Sequence, residues 1–170
     1  MLSHGVSTGA LFLLAGMLYE RRHSLEISSY GGAATPAPWL ATVFLITSLA
    51  SAGLPLLNNF VGEFLVLQGT AQVAFRYSAA AAVGVILAAW YLLWLYQRVF
   101  LGPPADEVSA TVTDLRPHEW AAVIPLIVLM VWMGVYSKTF LPRISQGTAR
   151  LVAPVEMRVD SAIRQVSYAR

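Results

Sequence analysis

The chain has 170 residues, of which 57% are hydrophobic and only 12% charged, and its net charge is +2. Soluble domains carry about 25% charged residues, so this charge is too sparse to cover a water-soluble globule, and a soluble enzyme is excluded as the leading interpretation. The scattered basic residues do not favour nucleic acid as a partner, and the absence of cysteine excludes disulfides, thiol catalysis and iron–sulfur ligation.

The first 19 residues form an uncharged, mainly apolar stretch that ends at Glu20. We predict a short transmembrane helix over residues 1–19, or the end of a longer one. Gly5 and Gly9 give it a small-residue face against which another helix can pack. A signal peptide is the alternative, but such a peptide carries its basic residues before the apolar stretch. The polar residues 20–38 then predict an aqueous loop.

The next apolar stretch, residues 39–70, is predicted to be a discontinuous transmembrane helix. Proline removes a backbone donor and clashes with the carbonyl four residues earlier, so the helix should break at Gly53–Pro55. Within a bilayer, a broken backbone is tolerated only where it is buried in protein or lines a wet cavity. We therefore expect two half-helices with an unwound segment between them.

Two further stretches are long enough to cross a bilayer core, which takes about 20 apolar residues. Residues 77–99 predict a transmembrane helix that ends in aromatic side chains, and residues 119–140 predict another after a polar loop at 100–118. The last segment, 142–170, has an approximate helical period and is predicted to be an amphipathic tail that lies along the headgroups, contacts a neighbouring subunit or frays.

These elements predict a single membrane domain covering residues 1–170. Its fold class is an all-α membrane protein with about four transmembrane helices, one of them broken at Gly53–Pro55.

Glu63 is the acidic residue that lies deepest within an apolar stretch, because the other eight lie in predicted loops, at span edges or in the tail. An ionised side chain at the bilayer centre costs about 2.5–3.5 kcal/mol, so such residues usually mark an ion or proton path. We predict that Glu63 transfers protons. The alternative is a helix-end glutamate that pairs with exposed backbone amides beside the break at Pro55.

His4 is the second candidate, because it is the only histidine within a hydrophobic stretch. Histidine titrates near neutral pH and therefore suits a proton relay. The alternative is that His4, near a chain end, is simply solvated. His23 and His118 lie in polar loops without metal-ligand spacing, so we predict no metal site. No phosphate-binding or dinucleotide-binding glycine motif is present.

Four segments together resemble a known family: SHGVSTGALFLLAGMLYERRHSLEISSYGG, LASAGLPLLNNFVGEFLVL, YLLWLYQRVFLGP and DLRPHEWAAVIPLIVLMVWMGVYSK. They look like the C-terminal part of the subunit M family of proton-translocating NADH-quinone oxidoreductase, respiratory complex I. The resemblance weakens after about Pro142. It implies the last helices of an antiporter-like fold of fourteen helices, with residues 1–19 as the end of the eleventh, 39–70 as the broken twelfth, 77–99 as the thirteenth and 119–140 as the fourteenth.

The resemblance implies that Glu63 corresponds to the family's proton-translocating glutamate on the broken helix, and His4 to a histidine of its polar axis. It implies proton translocation coupled to quinone reduction, with NADH and quinone acting elsewhere and neither a cofactor nor a catalytic redox site in this chain. The implied partners are the other membrane subunits of complex I and the lipid bilayer. The implied location is a bacterial plasma (inner) membrane, with the loops at 20–38 and 100–118 on the cytoplasmic side.

The first ten helices of that family fold have no counterpart in the chain. We therefore expect a truncated gene, a fragmentary gene model or one half of a split subunit, and in each case a chain that does not form a whole proton path by itself. Two other functions stay open: a subunit of a cation/proton antiporter or membrane-bound hydrogenase, and a structural or assembly membrane protein in which Glu63 caps a half-helix.

Overall fold

The computed structural model describes residues 1–104 and 106–168, and within those residues the chain is helical and contains no strand. Short 3₁₀ turns at Ile27–Ser29 and Ser137–Thr139 accompany seven α-helices in the described part. The helices are α1 Leu2–Arg22, α2 Pro38–Ser51, α3 Asn58–Val73, α4 Phe75–Phe100, α5 Asp106–Thr111, α6 Pro117–Val135 and α7 Leu141–Tyr168.

Three of these helices, α1, α4 and α6, are long and apolar enough to cross a membrane. The shorter apolar helix α2 and the following helix α3 occupy the stretch that the sequence predicts to be broken. The prediction of an all-α membrane protein with about four transmembrane helices, one of them interrupted, is therefore confirmed.

The interruption between α2 and α3 follows from the local sequence. Gly53 has a φ of 76°, the left-handed conformation that glycine adopts without steric cost. Its N–H donates to the Ala50 carbonyl, and the N–H of Leu54 reaches back to the Leu49 carbonyl at 3.0 Å. This pair of bonds is the Schellman motif, and Pro55 follows directly, where the chain cannot continue as a helix.

The second half-helix continues almost directly into α4. A single extended residue, Ala74, connects them, and its N–H donates to the Thr70 carbonyl. The Ser78 hydroxyl in the first turn of α4 donates to the Leu67 carbonyl of α3 at 2.9 Å. The α3–α4 connection is consequently short and fixed by hydrogen bonds on both sides.

The main apolar core lies where α1 and α4 end and α6 begins. The Phe100 ring lies 5.0 Å from the ring of Phe44 and 5.0 Å from that of Tyr96, measured between centroids. The buried side chains of this core include Leu14, Leu18, Leu40, Phe44, Val99, Phe100, Val108 and Val123. A smaller cluster beside the break consists of Ala10, Ala50, Leu57 and Met130.

The two polar loops meet at this end of the helices. The N–H of Gly31 donates to the Val99 carbonyl and that of Gly32 to the Leu101 carbonyl, so the first loop satisfies carbonyls that the end of α4 leaves free. Gly32 has a φ of 66°, and a Cβ there would overlap the backbone of Pro104. Only glycine allows this close approach between the loops.

The chain divides into two compact units, and the second begins at Tyr136. It contains α7, a 28-residue helix with Pro154 inside it. The backbone of this helix is described, but the predicted amphipathic tail, 142–170, depends largely on side chains that are not, among them Leu151, Val159, Ile163 and Val166. Its amphipathic character therefore stays a prediction.

Candidate functional site

A cavity of about 410 Å³ opens beside the helix break, between parts of α1, α2, α3 and α4. His4 from α1 and Glu63 from α3 both line it, so the structure brings the two predicted site residues to one cavity. Ser51, at the end of α2, adds a hydroxyl, and Asn59 adds an amide. Ala81 and Val85 of α4 form part of the apolar wall.

Glu63 lies against the broken backbone itself. Its carboxylate occupies the position that a Cβ on Gly53 would take, with the Glu63 Cδ atom 2.9 Å from that position. The side chain is half-buried, and among the described residues it makes no ion pair or hydrogen bond. The alternative in which Glu63 caps a half-helix requires a backbone amide donor, and no described amide supplies one.

His4 lies one helical turn before Thr8 on α1. The Thr8 hydroxyl is 3.2 Å from Nδ1 and 3.4 Å from Nε2 of the imidazole, and the tautomer decides which group donates. The His4 side chain is exposed on the surface of the first unit. No hydrogen bond joins it directly to Glu63 in the described part of the chain, so a proton exchanged between them needs an intermediate carrier.

Two buried asparagines at the start of α3 tie the second half-helix to α1. The Asn58 amide donates to the Ser3 carbonyl at 2.7 Å, and the Asn59 amide donates to the Ser7 hydroxyl at 3.1 Å. Ser7 in turn lies within hydrogen-bonding distance of the Ser3 and His4 carbonyls. The asparagines thus fix the distance between the Glu63 helix and the turn that carries His4.

Three buried polar atoms near the break have no hydrogen-bond partner among the described residues: Ser48 Oγ, Ser51 Oγ and Asn58 Oδ1. A buried polar group without a partner costs about 1–3 kcal/mol. Water in a polar cavity of sufficient size meets that need. Ser51 is also one of the residues that line the cavity beside Glu63.

The opposite side of the break packs on α6 through Gly134. A Cβ at this position would overlap the Leu56 carbonyl and lie 2.6 Å from the Leu57 carbonyl carbon. Leu56 itself has a φ of 77°, which is rare for a residue with a side chain. The absence of a side chain on Gly134 therefore lets the unwound segment approach α6.

A second polar cluster lies at the loop end of the helices, around Arg21 and Glu119. Both side chains are only 4% exposed, so Glu119 is buried more deeply than Glu63. The sequence places Arg21 just after one apolar stretch and Glu119 at the edge of another, and it does not reveal that they meet. The one available signal is that Arg21 and Glu119 lie at the ends of predicted spans, next to the loops 20–38 and 100–118, which are expected on the same side of the membrane.

Sequence reasoning also missed the asparagine tethers and the role of Gly134. A pair of adjacent asparagines inside an apolar stretch is the signal that could have revealed the tethers, because buried amides require hydrogen-bond partners. Gly134 carried no such signal, since a glycine within an apolar helix has many explanations.

Comparison with known proteins places these features in a family context. A family profile described as "NADH:quinone oxidoreductase/Mrp antiporter, TM" matches residues 1–91. The chain is 42% identical over 152 residues to the NADH-quinone oxidoreductase subunit M of Rhodobacter capsulatus, covering 89% of this chain and 30% of that protein. It is 49% identical over 144 residues to the subunit M of Mycobacterium tuberculosis (strain CDC 1551 / Oshkosh), covering 83% and 25%.

A solved structure is similar as well. It is a chain of the respiratory complex I from Thermus thermophilus with bound NADH, with a TM-score of 0.76 and 41% sequence identity. The similarity covers 81% of this chain and 29% of that one. The chain thus spans less than a third of the length of these relatives.

Proposed function

The chain belongs to the NADH:quinone oxidoreductase/Mrp antiporter, TM family, and we propose that it is part of subunit M of a proton-translocating NADH-quinone oxidoreductase. Its role is proton translocation coupled to quinone reduction. Support comes from the two relatives named subunit M and from the likeness to a chain of a respiratory complex I. The chain covers only part of these proteins, so the proposal concerns the segment that carries Glu63.

The observation that carries this proposal is the shared cavity beside the helix break. It places a carboxyl group and an imidazole at one site, together with the Ser51 hydroxyl and the Asn59 amide. A carboxyl group inside a membrane domain, with no counter-ion among the described residues, is suited to alternate between its protonated and ionised forms. The half-helix end at Gly53 supplies the polar backbone that such a site needs.

In the proposed mechanism, Glu63 accepts a proton and releases it into the cavity. Water in the cavity carries the proton towards His4, since no direct hydrogen bond spans the gap within the described structure. The Thr8 hydroxyl, adjacent to the imidazole, offers a donor or an acceptor according to the His4 tautomer. Asn59 holds α3 in place through Ser7 and keeps the two groups at a constant separation.

The remaining assignments belong to the same proposal. NADH and quinone act in other parts of the complex, and this chain holds no cofactor of its own. Its partners are the other membrane subunits of that complex and the lipid bilayer, and nucleic acid is not among them. The location is a bacterial plasma membrane, with the arginine-bearing loop ends of α1 and α4 facing the cytoplasm.

The test is a Glu63→Gln substitution in the assembled complex, studied in sealed membrane vesicles. Glutamine keeps the size of the side chain and removes its ability to ionise. We expect the number of protons translocated per electron, or the coupled rate, to fall while the complex remains assembled. The matched control is Glu20→Gln, which neutralises an exposed acid at the end of α1. Unchanged translocation in the Glu63 variant would reject the proposed role.

The family description also includes Mrp antiporters, which favours cation/proton antiport as a second candidate. The two functions differ in their energy source. Vesicles that take up or release Na⁺ in response to a pH gradient, without NADH, would support antiport. Proton translocation that requires NADH and quinone would support the first proposal.

A further inference from the structure

Gly53 makes a contact with Glu63 that no other residue type permits. The Glu63 Oε2 atom overlaps the position of a Cβ on Gly53, and the Cδ and Oε1 atoms lie 2.9 Å and 3.4 Å from that position. Real Cβ atoms essentially never have a neighbour closer than 3.0 Å. The carboxylate therefore fills the volume that any other side chain at residue 53 would need.

The positive φ of Gly53 does not explain this contact. Gly31 and Gly102 also have positive φ values, 133° and 100°, yet a Cβ on either would meet nothing within 4 Å. Gly69, on the same helix as Glu63, is equally free of neighbours. The contact thus belongs to the break beside the carboxylate and is not a general property of the glycines of this chain.

Gly53 also differs from the other glycines at which an added Cβ would clash, because a different kind of neighbouring atom would have to move. At Gly134 and Gly32 a new Cβ would meet backbone atoms, so the chain itself would have to shift. At Gly53 the three nearest atoms all belong to the far end of the flexible Glu63 side chain. A methyl group at Gly53 therefore displaces the Glu63 carboxylate, in addition to the backbone strain that a side chain carries at this positive φ.

We propose that Gly53 is a positioning residue for Glu63, which seats the carboxylate against the unwound backbone at the edge of the shared cavity. The inference rests on the proposed function and deepens it, because it assigns a role to the break itself. Proton transfer requires donor and acceptor within about 2.6–3.2 Å, directly or through one water. A displacement of about 1 Å costs such steps up to about a hundredfold in rate.

The experiment compares Gly53→Ala with Gly102→Ala and Gly69→Ala in the assembled complex in sealed vesicles. Gly102→Ala adds a methyl group at another positive φ, 100° against 76° for Gly53, and Gly69→Ala adds one to the half-helix that carries Glu63. The readouts are the abundance of the complex, the coupled rate of proton translocation, and its dependence on pH. Only the last two report on the carboxylate.

We expect Gly53→Ala to lower coupled translocation about tenfold or more and to shift its pH profile, with abundance similar to that of Gly102→Ala. The double variant Gly53→Ala/Glu63→Asp should recover part of the loss, because the shorter aspartate leaves room for the methyl group. Translocation and a pH profile equal to those of Gly102→Ala would overturn the inference.

Two further outcomes are decisive. Should Glu63→Gln translocate protons normally, the proposed function fails, and this result is distinct from a failure confined to Gly53→Ala. The second outcome is that Gly53→Ala and the double variant Gly53→Ala/Glu63→Asp both fail to assemble, while Glu63→Asp by itself assembles. Gly53 would then serve folding through its backbone conformation, and the positioning role would be overturned.

Discussion

Arg21 and Glu119 form a two-pronged ion pair, with Nη1 donating to Oε1 at 2.8 Å and Nη2 to Oε2 at 2.6 Å. Arg21 lies in the last turn of α1 and Glu119 in the first turn of α6. The remaining guanidinium N–H groups donate to backbone carbonyls of Met17, Thr113 and Asp114. All five donors of the arginine are therefore in use.

Glu119→Gln is expected to destabilise the first unit strongly. It leaves the Arg21 charge buried without a counter-ion, a loss typically worth about 3–5 kcal/mol. The measurement is the thermal stability and membrane abundance of the complex. The control is Glu107→Gln, which breaks the pair with Arg22, because Glu107 is 79% exposed and such surface pairs contribute about 1 kcal/mol or less. Equal losses in both variants would contradict this expectation.

Asp114→Ala should weaken the start of α2. The Asp114 carboxylate accepts hydrogen bonds from the N–H groups of Trp39 and Leu40, at 3.1 Å and 2.9 Å. Loss of a cap of this kind costs about 0.5–2 kcal/mol. Asp114→Asn keeps one acceptor oxygen and should lose less stability in the same thermal assay. If both variants melt at the same temperature, the capping role is wrong.

Gly134→Ala tests the approach of the unwound segment to α6. The new methyl group would meet the Leu56 carbonyl, so the backbone of the break must shift. Overpacking of this kind costs about 1–3 kcal/mol. Gly84→Ala, on α4, is the matched control, because a Cβ there meets nothing within 4 Å. A variant at Gly134 as stable as the one at Gly84 would show that the segment is not packed against α6.

We expect the ionisation of Tyr30 to lower the stability of the folded chain at alkaline pH. Burial raises the pKa of its hydroxyl above the ordinary value of 10.0, and the nearby Arg22 charge partly offsets this. The unfolded chain therefore releases the proton first. The contribution of the protonated Tyr30 hydroxyl to the free energy of unfolding is complete below about pH 10. It is lost as the pH rises through the pKa of the folded state.

Tyr30→Phe should remove that alkaline component. It also removes the hydrogen bond from the Tyr30 hydroxyl to the Ser24 carbonyl, 2.8 Å long, and should cost about 0.5–1.5 kcal/mol at pH 8. Thermal denaturation between pH 8 and pH 11 compares the two proteins. Parallel pH curves for wild type and Tyr30→Phe would refute the assignment.

The helix break was predictable because its causes are local. Gly53 and Pro55 have backbone preferences that act within one turn, and the Schellman motif uses residues close in sequence. The spans were predictable for a similar reason, since a long run of apolar residues by itself indicates a membrane-spanning helix. Glu63 stood out because charge is rare in such a run.

The contacts that hold the elements together were not predictable. Arg21 and Glu119 are 98 residues apart, and their pairing depends on which helix ends meet. The contact between Gly53 and the Glu63 carboxylate depends on the direction in which the second half-helix leaves the break. A single sequence contains no information on such directions until the helices are packed.

The connection through Ala74 has a mechanical consequence for the molecule. One residue and the Ser78–Leu67 hydrogen bond join α3 to α4, so α3 cannot slide along its axis without carrying α4 with it. The six residues from 52 to 57 on its other side contain no helix, and Gly53 among them contacts the Glu63 carboxylate. A movement of α3 along its axis is therefore transmitted to α4 at one end and to this non-helical segment, with the Glu63 carboxylate beside it, at the other.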